Sequence, residues 1–267
     1  MFFQEIGQLI PEVSHKRIEH PIEGVYFNHI HNHCEILLFL CGEAKYNIDG
    51  QILTPRPYDV LFIPAATYHY LIPTASVPYE NYVIGIDPTL MEPVHYDKLF
   101  TPPLMLHLGE EPELMELFSR LDRYERLFSK QDFSEAALAV IRELVLCCSY
   151  RKDELQYAAG SGHGHVEEII RYISEHLEEP LDADRIAAEL LLSKSYIQNM
   201  FSQSMHIGLK AYILQKKIYA AHADLRRGMS PGTVCEKYCF GDYSGFYRLY
   251  KKTFSVAPRA NSAMSVR

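Results

Sequence analysis

The sequence predicts an α+β protein in which an N-terminal β-barrel with accompanying helices precedes an all-α domain. Residues 22–86 contain short apolar stretches separated by glycine, proline and Asp-Gly turns, whereas apolar residues after Pro112 recur with helical spacing. The charge divides in the same way. Residues 1–164 carry 12 basic and 23 acidic side chains, but the residues from Lys194 onward carry 12 basic and 3 acidic ones. A chain of 267 residues with this asymmetry is expected to contain two parts with different partners.

The strands of the first part follow from local signals. Glu35 to Cys41 is an apolar run that ends at a glycine, and Asp49-Gly50 is a strong hairpin turn. Val60 to Ile63 predicts a buried strand closed by a proline, and Tyr79 to Ile86 predicts another. Short strands with this punctuation are typical of sandwiches and barrels.

Helices are predicted on both sides of a linker. The stretch Asp132–Leu155 is amphipathic, and we expect its apolar face to contact either the barrel or the second subunit of a homodimer. Small residues dominate 156–164, as in flexible linkers. The predicted boundaries are 1–157 for the first domain, 158–164 for the linker and 165–267 for the second domain.

Two helix-turn-helix units are predicted in the second part. The first comprises Asp182–Leu191 and Ser193–Met205, and the second comprises Pro231–Tyr238 and Asp242–Phe254. In such units the second helix enters the major groove of DNA. A plain helical bundle with a polar surface has the same periodicity and stays an alternative at this point. The predicted DNA-binding residues are Lys194, Ser195, Tyr196, Gln198, Asn199, Gln203, Tyr243, Ser244, Arg248, Lys251 and Lys252.

Charge and side-chain chemistry favour double-stranded DNA as the partner. The whole chain has a formal net charge of −8, which by itself argues against nucleic acid. That value averages two unlike parts, however, because the residues from Lys194 onward carry a net charge of +9. Amide side chains suit adenine, arginine suits guanine, and lysine and hydroxyl groups suit phosphate.

The second part also resembles a known family. The matching residues are Leu181-x5-Ala187-x5-Ser193-x-Ser195-Tyr196-Ile197-x3-Phe201 and Phe240-x-Asp242-x-Ser244-x-Phe246-x-Arg248-x-Tyr250-Lys251-Lys252. They resemble the DNA-binding domain of the AraC/XylS family of bacterial transcription regulators. The chain departs from the family pattern at Cys239, where the family usually has glycine, and at Lys217, where it usually has arginine.

The first part resembles a cupin barrel through the motifs His29-x-His31-x3-Glu35-x6-Gly42 and Pro64-x-Ala66-x2-His69. The cupin pattern has glycine where Tyr58 and Ala66 stand. In front of an AraC-type domain, such a barrel implies a sensor of a small polar effector, commonly a carbohydrate, rather than an enzyme. The predicted effector-binding residues are His29, His31, Glu35, Tyr46, Arg56 and His69.

The same residues leave the role of a metal open. In metal-dependent cupins the positions of His29, His31, Glu35 and His69 hold one divalent ion, and three imidazoles with one carboxylate suit such an ion. The alternatives are hydrogen bonding to an effector and purely structural histidines. A metal-dependent enzyme and a metal-sensing regulator stay open as well. We expect His33 to point away from His31 and to lie outside the pocket.

Compartment and membrane association follow from what the sequence lacks. Six cysteines occur without a CxxC motif, and the N-terminal residues lack the pattern of a signal peptide. No apolar run approaches the roughly 18 residues of a membrane span. We therefore expect reduced thiols, a cytoplasmic location and no membrane partner.

Overall fold

The computed structural model describes residues 11–22, 26–101, 104–109, 111–154 and 164–258. The chain divides into two compact units, and the boundary falls between residues 161 and 162. Each unit is described by itself. Of the predicted linker 158–164, all but Gly164 lies outside the described residues.

The first unit contains two antiparallel sheets that pack face to face. One has the order β1-β8-β3-β6-β9 and the other the order β2-β7-β4-β5. The predicted strands between residues 34 and 86 are confirmed, and the Asp49-Gly50 turn joins two of them. The strands are β1 (Glu12–Ile18), β2 (Tyr26–His29), β3 (Cys34–Cys41), β4 (Ala44–Ile48), β5 (Gln51–Leu53), β6 (Asp59–Ile63), β7 (His69–Pro73), β8 (Tyr79–Ile86) and β9 (Leu104–His107).

Strand β3 shows why its sequence is apolar throughout. Leu37 and Phe39 face the opposite sheet and pack in the barrel interior. Ile36 and Leu38 point the other way and pack against the helices of the same unit. Because both faces of the strand are covered, the sequence shows a continuous apolar run instead of an alternation.

Three helices cover the outer face of the larger sheet: α1 (Pro93–Phe100), α2 (Pro112–Leu127) and α3 (Lys130–Glu154). The apolar face of α3, which includes Ile141 and Leu144, packs in the core of its own unit. Leu146 and Tyr150 lie on the opposite side of α3 and are exposed. The first of the two contacts predicted for this apolar face, with the barrel, is therefore the one observed.

The second unit is entirely helical over its described residues, and the predicted helix pairs are confirmed. Asp182, Ser193, Ser230 and Asp242 each accept a hydrogen bond from a backbone N–H of the helix that follows them. These caps satisfy donors that the first turn leaves unpaired. The helices are α4 (His165–Glu175), α5 (Ala183–Glu189), α6 (Lys194–Met205), α7 (Leu209–Arg226), α8 (Pro231–Lys237) and α9 (Tyr243–Phe254).

Apolar packing holds the end of this unit around the long helix α7. Ile218 and Leu225 of α7 form one core cluster with Phe246 and Tyr250 of α9. Leu177, which follows α4, packs against the same cluster. Among the described residues, no helix combines the length and the hydropathy that crossing a bilayer requires.

Candidate functional site

Four side chains converge at one end of the barrel. His29 ends β2 and pairs with His69 of β7, Glu35 lies on β3, and His31 lies in the connection between β2 and β3. One ligand atom from each of these residues lies within 4.8 Å of the others. We call these four residues the His–Glu cluster. His29 is exposed and His69 is buried, so the cluster reaches from the surface into the barrel.

Backbone carbonyl groups orient two of the imidazoles. His31 Nδ1 lies 2.8 Å from the carbonyl oxygen of His33, and its Nε2 lies 3.0 Å from Glu35 Oε1. His69 Nδ1 lies 2.9 Å from the carbonyl oxygen of Thr67. The Nε2 atom of each ring is thereby directed towards the carboxylate of Glu35.

The donor set of the His–Glu cluster fits a cation. Burial lowers the pKa of His31 to about 4, so its ring carries one proton at neutral pH although both nitrogens face acceptor oxygens. His69 Nε2 is buried, lies 3.3 Å from Glu35 Oε2 and has no hydrogen-bond partner among the described residues. A divalent ion between these nitrogens and the carboxylate would satisfy all of them.

Glu35 is ionised in this setting. Burial alone would raise the pKa of its carboxyl group, but interaction with the imidazoles of His31, His33 and His69 holds that pKa well below its ordinary value. Interaction with Glu35 also raises the pKa of His69, against the effect of burial. The His–Glu cluster therefore contains a fixed negative charge surrounded by imidazoles.

His33 belongs beside the cluster, and the prediction that it points away was wrong. Its ring stacks on that of His31 with centroids 3.7 Å apart, and its Nε2 lies 3.8 Å from Glu35 Oε1. Gly85 leaves the room for it, because a Cβ there would lie 3.0 Å from His33 Cδ2. Residues two apart on a strand share a face, so alternation itself would have placed His33 on the side of His31, and residues 30–33 in any case connect two strands.

The structure separates the remaining predicted effector residues. Tyr46 faces the barrel interior two residues from Ile48, which pairs with His69. Arg56 is exposed and precedes β6 next to Asp59, whereas the opposite end of β6 pairs with Glu35 through Ile63. Arg56 is therefore not part of the polar group around the cluster.

Two interior residues were missed by the sequence analysis. The hydroxyl of Tyr79 forms a hydrogen bond with that of Tyr46. Asn81 is buried, and its Oδ1 has no hydrogen-bond partner among the described residues. Both lie on β8 and face the interior, and the alternation of that strand was the only available signal. With Tyr46 they extend the polar lining beyond the His–Glu cluster.

The candidate DNA-reading faces belong to α6 and α9. On α6, Ile197, Phe201 and Met205 are buried, and all six predicted residues from Lys194 to Gln203 are exposed. Lys194 Nζ lies 2.7 Å from Asp184 Oδ2, a contact that raises the pKa of Lys194. On α9, Phe246 and Tyr250 are buried, and the five predicted residues are exposed.

Family comparisons agree with this division of the chain. A family model described as "AraC-like ligand binding domain" matches residues 17–140. A second, described as "Helix-turn-helix domain", matches residues 186–262. The chain belongs to the AraC family of transcription regulators. The first match contains the His–Glu cluster, and the second contains both candidate DNA-reading helices.

Three curated relatives illustrate the range of AraC-family similarity. The regulator GbdR of Pseudomonas aeruginosa is 26% identical over 160 residues, covering 58% of this chain and 39% of GbdR. The regulatory protein SoxS of Escherichia coli is 29% identical over 94 residues, covering 35% of this chain and 88% of SoxS. The Msm operon regulatory protein of Streptococcus mutans is 20% identical over 235 residues, covering 84% of this chain and 81% of that protein. All three are named as regulators, which decides against the enzyme alternative.

Proposed function

We propose that this AraC-family protein binds specific DNA sequences through α6 and α9 and regulates transcription in response to a small effector held in the barrel. The effector is a small polar molecule of the carbohydrate class. The domains extend over 1–157 and 165–267, joined by the linker 158–164. The protein acts as a homodimer in the cytoplasm, where its six free cysteines stay reduced.

The observation that carries the DNA-binding proposal is the pair of capped helices with polar, exposed faces. Gln198 and Asn199 of α6 offer amides that suit adenine, and Arg248 of α9 offers a guanidinium group that suits guanine. Lys251 and Lys252 are exposed at the end of α9, where a phosphate backbone would be their partner.

The polar lining of the barrel supports the effector proposal. A hydroxyl-rich ligand needs both donors and acceptors, and the imidazoles of the His–Glu cluster, Tyr46 and Asn81 provide both. Asn81 Oδ1 and His69 Nε2 are buried polar atoms that lack hydrogen bonds in the described residues. Such atoms cost free energy unless a ligand or ion pairs with them.

A thermal-unfolding panel tests the effector proposal. A sugar present at 100 times its Kd raises the free energy of unfolding by about 2.7 kcal/mol. The same sugar should leave the unfolding of Tyr46→Phe less affected, and that of Arg56→Ala unaffected, since Arg56 lies away from the polar lining. A panel of pentoses, hexoses and disaccharides without any shift would reject the carbohydrate class.

The homodimer is proposed to form through the exposed side of α3. Leu146 and Tyr150 lie four residues apart on that side, with exposed fractions of 44% and 68%. Sedimentation of the intact protein should give a dimer, and Leu146→Glu should shift it towards the monomer. Ala139→Glu, also on an exposed position of α3, tests whether the contact extends along the helix.

A metal-responsive regulator is the second candidate function, and the convergence of four ligand atoms within 4.8 Å favours it. His29, His31, Glu35 and His69 would hold a divalent ion, which would act there as a Lewis acid towards a bound polar effector. Titration calorimetry with Zn²⁺, Mn²⁺ and Ni²⁺ on chelator-treated protein should show one site per chain that His69→Gln abolishes. Chelator-sensitive DNA binding without any sugar effect would favour metal sensing over sugar sensing.

A further inference from the structure

The two helix-turn-helix units are tied to each other by more than the shared helix α7. The segment Leu177–Glu179 precedes the first unit, and the turn Lys237–Cys239 lies within the second. Leu177 packs against the apolar cluster that contains residues of the second helix-turn-helix unit. Polar groups of the two segments also meet, in two direct contacts and in a third that Lys217 of α7 mediates. Segments distant in sequence are thus joined at one place beside α7.

Lys217 of α7 makes the central contact. Its side chain is buried, and its Nζ donates to the carbonyl oxygen of Glu179 at 2.7 Å and to that of Tyr238 at 2.9 Å. Tyr238 caps the C-terminus of α8, where carbonyl groups lack helical partners and the helix dipole is negative. One ammonium group therefore joins the segment before the first helix-turn-helix unit, the long helix α7 and the second helix-turn-helix unit.

Two further contacts run directly between the segments. Lys237 Nζ lies 3.1 Å from Glu178 Oε1 and 2.8 Å from Asp224 Oδ2 of α7. The thiol of Cys239 donates to the carbonyl oxygen of Glu178 at 3.4 Å. We call Glu178, Glu179, Lys217, Lys237 and Cys239 the brace.

Further contacts within the first helix-turn-helix unit and the segment before it hold Glu179 of the brace. Arg185 of α5 donates to the carboxylate of Glu179 and, at 3.0 Å, to the carbonyl oxygen of Pro180. The same carboxylate lies 2.8 Å from His176 Nδ1. Contacts therefore run without interruption from α5, through Glu179 and Lys217, to the turn that precedes α9.

We infer that Lys217 is a positioning residue that, through the brace, fixes the separation and orientation of α6 and α9. It thereby sets the one spacing that the protein accepts between the two half-elements of its DNA site, meaning the base pairs read by α6 and those read by α9. This inference rests on the proposed reading of DNA by those two helices. One base pair changes the separation of two half-elements by about 3.4 Å and rotates them by about 34°. Linked modules gain affinity only where both can bind at once, so a rigid brace penalises every other spacing.

The test measures binding across a spacing series. A duplex selected by the intact protein from a randomised library supplies the preferred site, and variants insert or delete one base pair between its two half-elements. The protein itself should prefer its own spacing by at least about tenfold. Lys217→Met removes the two hydrogen bonds that Lys217 makes and should reduce this preference to less than about threefold. Lys217→Arg keeps a donor and should retain it.

Lys210→Met is the matched control. It removes the same charge from an exposed position of α7 that lies outside the brace, so it should weaken binding to all duplexes equally and leave the spacing preference unchanged. Lys237→Met leaves Lys217 in place and serves as the second variant if Lys217→Met unfolds, as judged by circular dichroism. It should lower the preference to an intermediate value.

The spacing preference is a readout that a merely structural role would not move. Folded Lys217→Met and Lys237→Met proteins with the full tenfold preference for the same spacing would overturn the inference. Gln198→Ala and Arg248→Ala on the same duplexes separate this failure from failure of the proposed DNA contacts. If those two variants lose base preference while the brace variants keep the spacing preference, only the brace is rejected.

Discussion

The His–Glu cluster and the exposed faces of α6 and α9 use polar side chains in opposite ways. In the barrel, Glu35 and His69 are largely shielded from water. The carboxylate oxygens and imidazole nitrogens of the His–Glu cluster converge there, and the cluster holds too few protons for each of them to form a hydrogen bond. On α6 and α9, polar residues such as Gln198 and Arg248 project into solvent and contribute little to the fold. Substitution should therefore change stability in the first region and only binding in the second.

The largest expected effect separates the carboxylate of Glu35, inside the His–Glu cluster, from that of Glu80. Glu35→Gln removes the charge that pairs with His69 and should lower the free energy of unfolding by about 3 kcal/mol. Glu80→Gln is the control, because Glu80 pairs with His15 and Arg17, whose side chains are 31% and 50% exposed, and it should cost less than about 1 kcal/mol. Urea denaturation of both variants measures the difference. Equal costs would show that burial of Glu35 is not what distinguishes the cluster.

The second effect concerns DNA binding alone. Gln198→Ala and Arg248→Ala should each weaken specific binding by about 1–3 kcal/mol and change the free energy of unfolding by less than about 0.5 kcal/mol. Lys251→Ala should weaken specific and non-specific binding alike and flatten the salt dependence. Mobility shifts at several salt concentrations, with a scrambled duplex beside the selected one, distinguish the two classes. A large loss of stability in Gln198→Ala would contradict the contrast between the regions.

The third effect tests the space that Gly85 leaves for His33. Gly85→Ala places a Cβ 3.0 Å from His33 Cδ2 and should destabilise the protein by about 1–2 kcal/mol while weakening metal or effector binding. Gly232→Ala, on α8 with no atom within 4 Å of the added Cβ, should be neutral or stabilising by up to about 1 kcal/mol. Thermal unfolding with and without Zn²⁺ compares them. If Gly85→Ala binds the ion normally, His33 is only a neighbour of the cluster.

The smallest effect concerns residues that stand where the family patterns have glycine. Ala66 and Cys239 have φ angles of +59° and +55°, which favour glycine. Ala66→Gly should stabilise the protein by about 1 kcal/mol, and Cys239→Gly by less, because the thiol contact with Glu178 is lost. Ala139→Gly in the helix α3 is the control and should destabilise by about 0.5–1 kcal/mol. Destabilisation by Ala66→Gly would mean that its methyl group packs better than its backbone strain costs.

Much of the fold could be predicted because local signals coincide with it. The caps at Asp182 and Ser193 mark helix starts by side-chain chemistry alone, and Asp49-Gly50 marks its hairpin. Strand β1 was missed because an edge strand with the sequence EVSHKRI lacks an apolar pattern, and α1 begins at Pro93 without a side-chain cap.

The cluster could be predicted only in part. His29, His31, Glu35 and His69 were found from their spacing, and the structure brings them together. His33 was misplaced because residues two apart on a strand share a face, and the prediction put His33 on the opposite side from His31. The room for its ring depends on Gly85, more than fifty residues away. The brace also joins residues distant in sequence, although Lys217 was already visible as a departure from the family pattern.

The most direct test of the central claim is a methylation-interference footprint of the intact protein on its selected duplex. Two interference segments in successive major grooves are expected, one lost in Gln198→Ala and the other in Arg248→Ala. The thermal stability of both variants should match that of the parent protein. Identical footprints for the parent protein and both variants would contradict the assignment of α6 and α9 as the helices that read DNA.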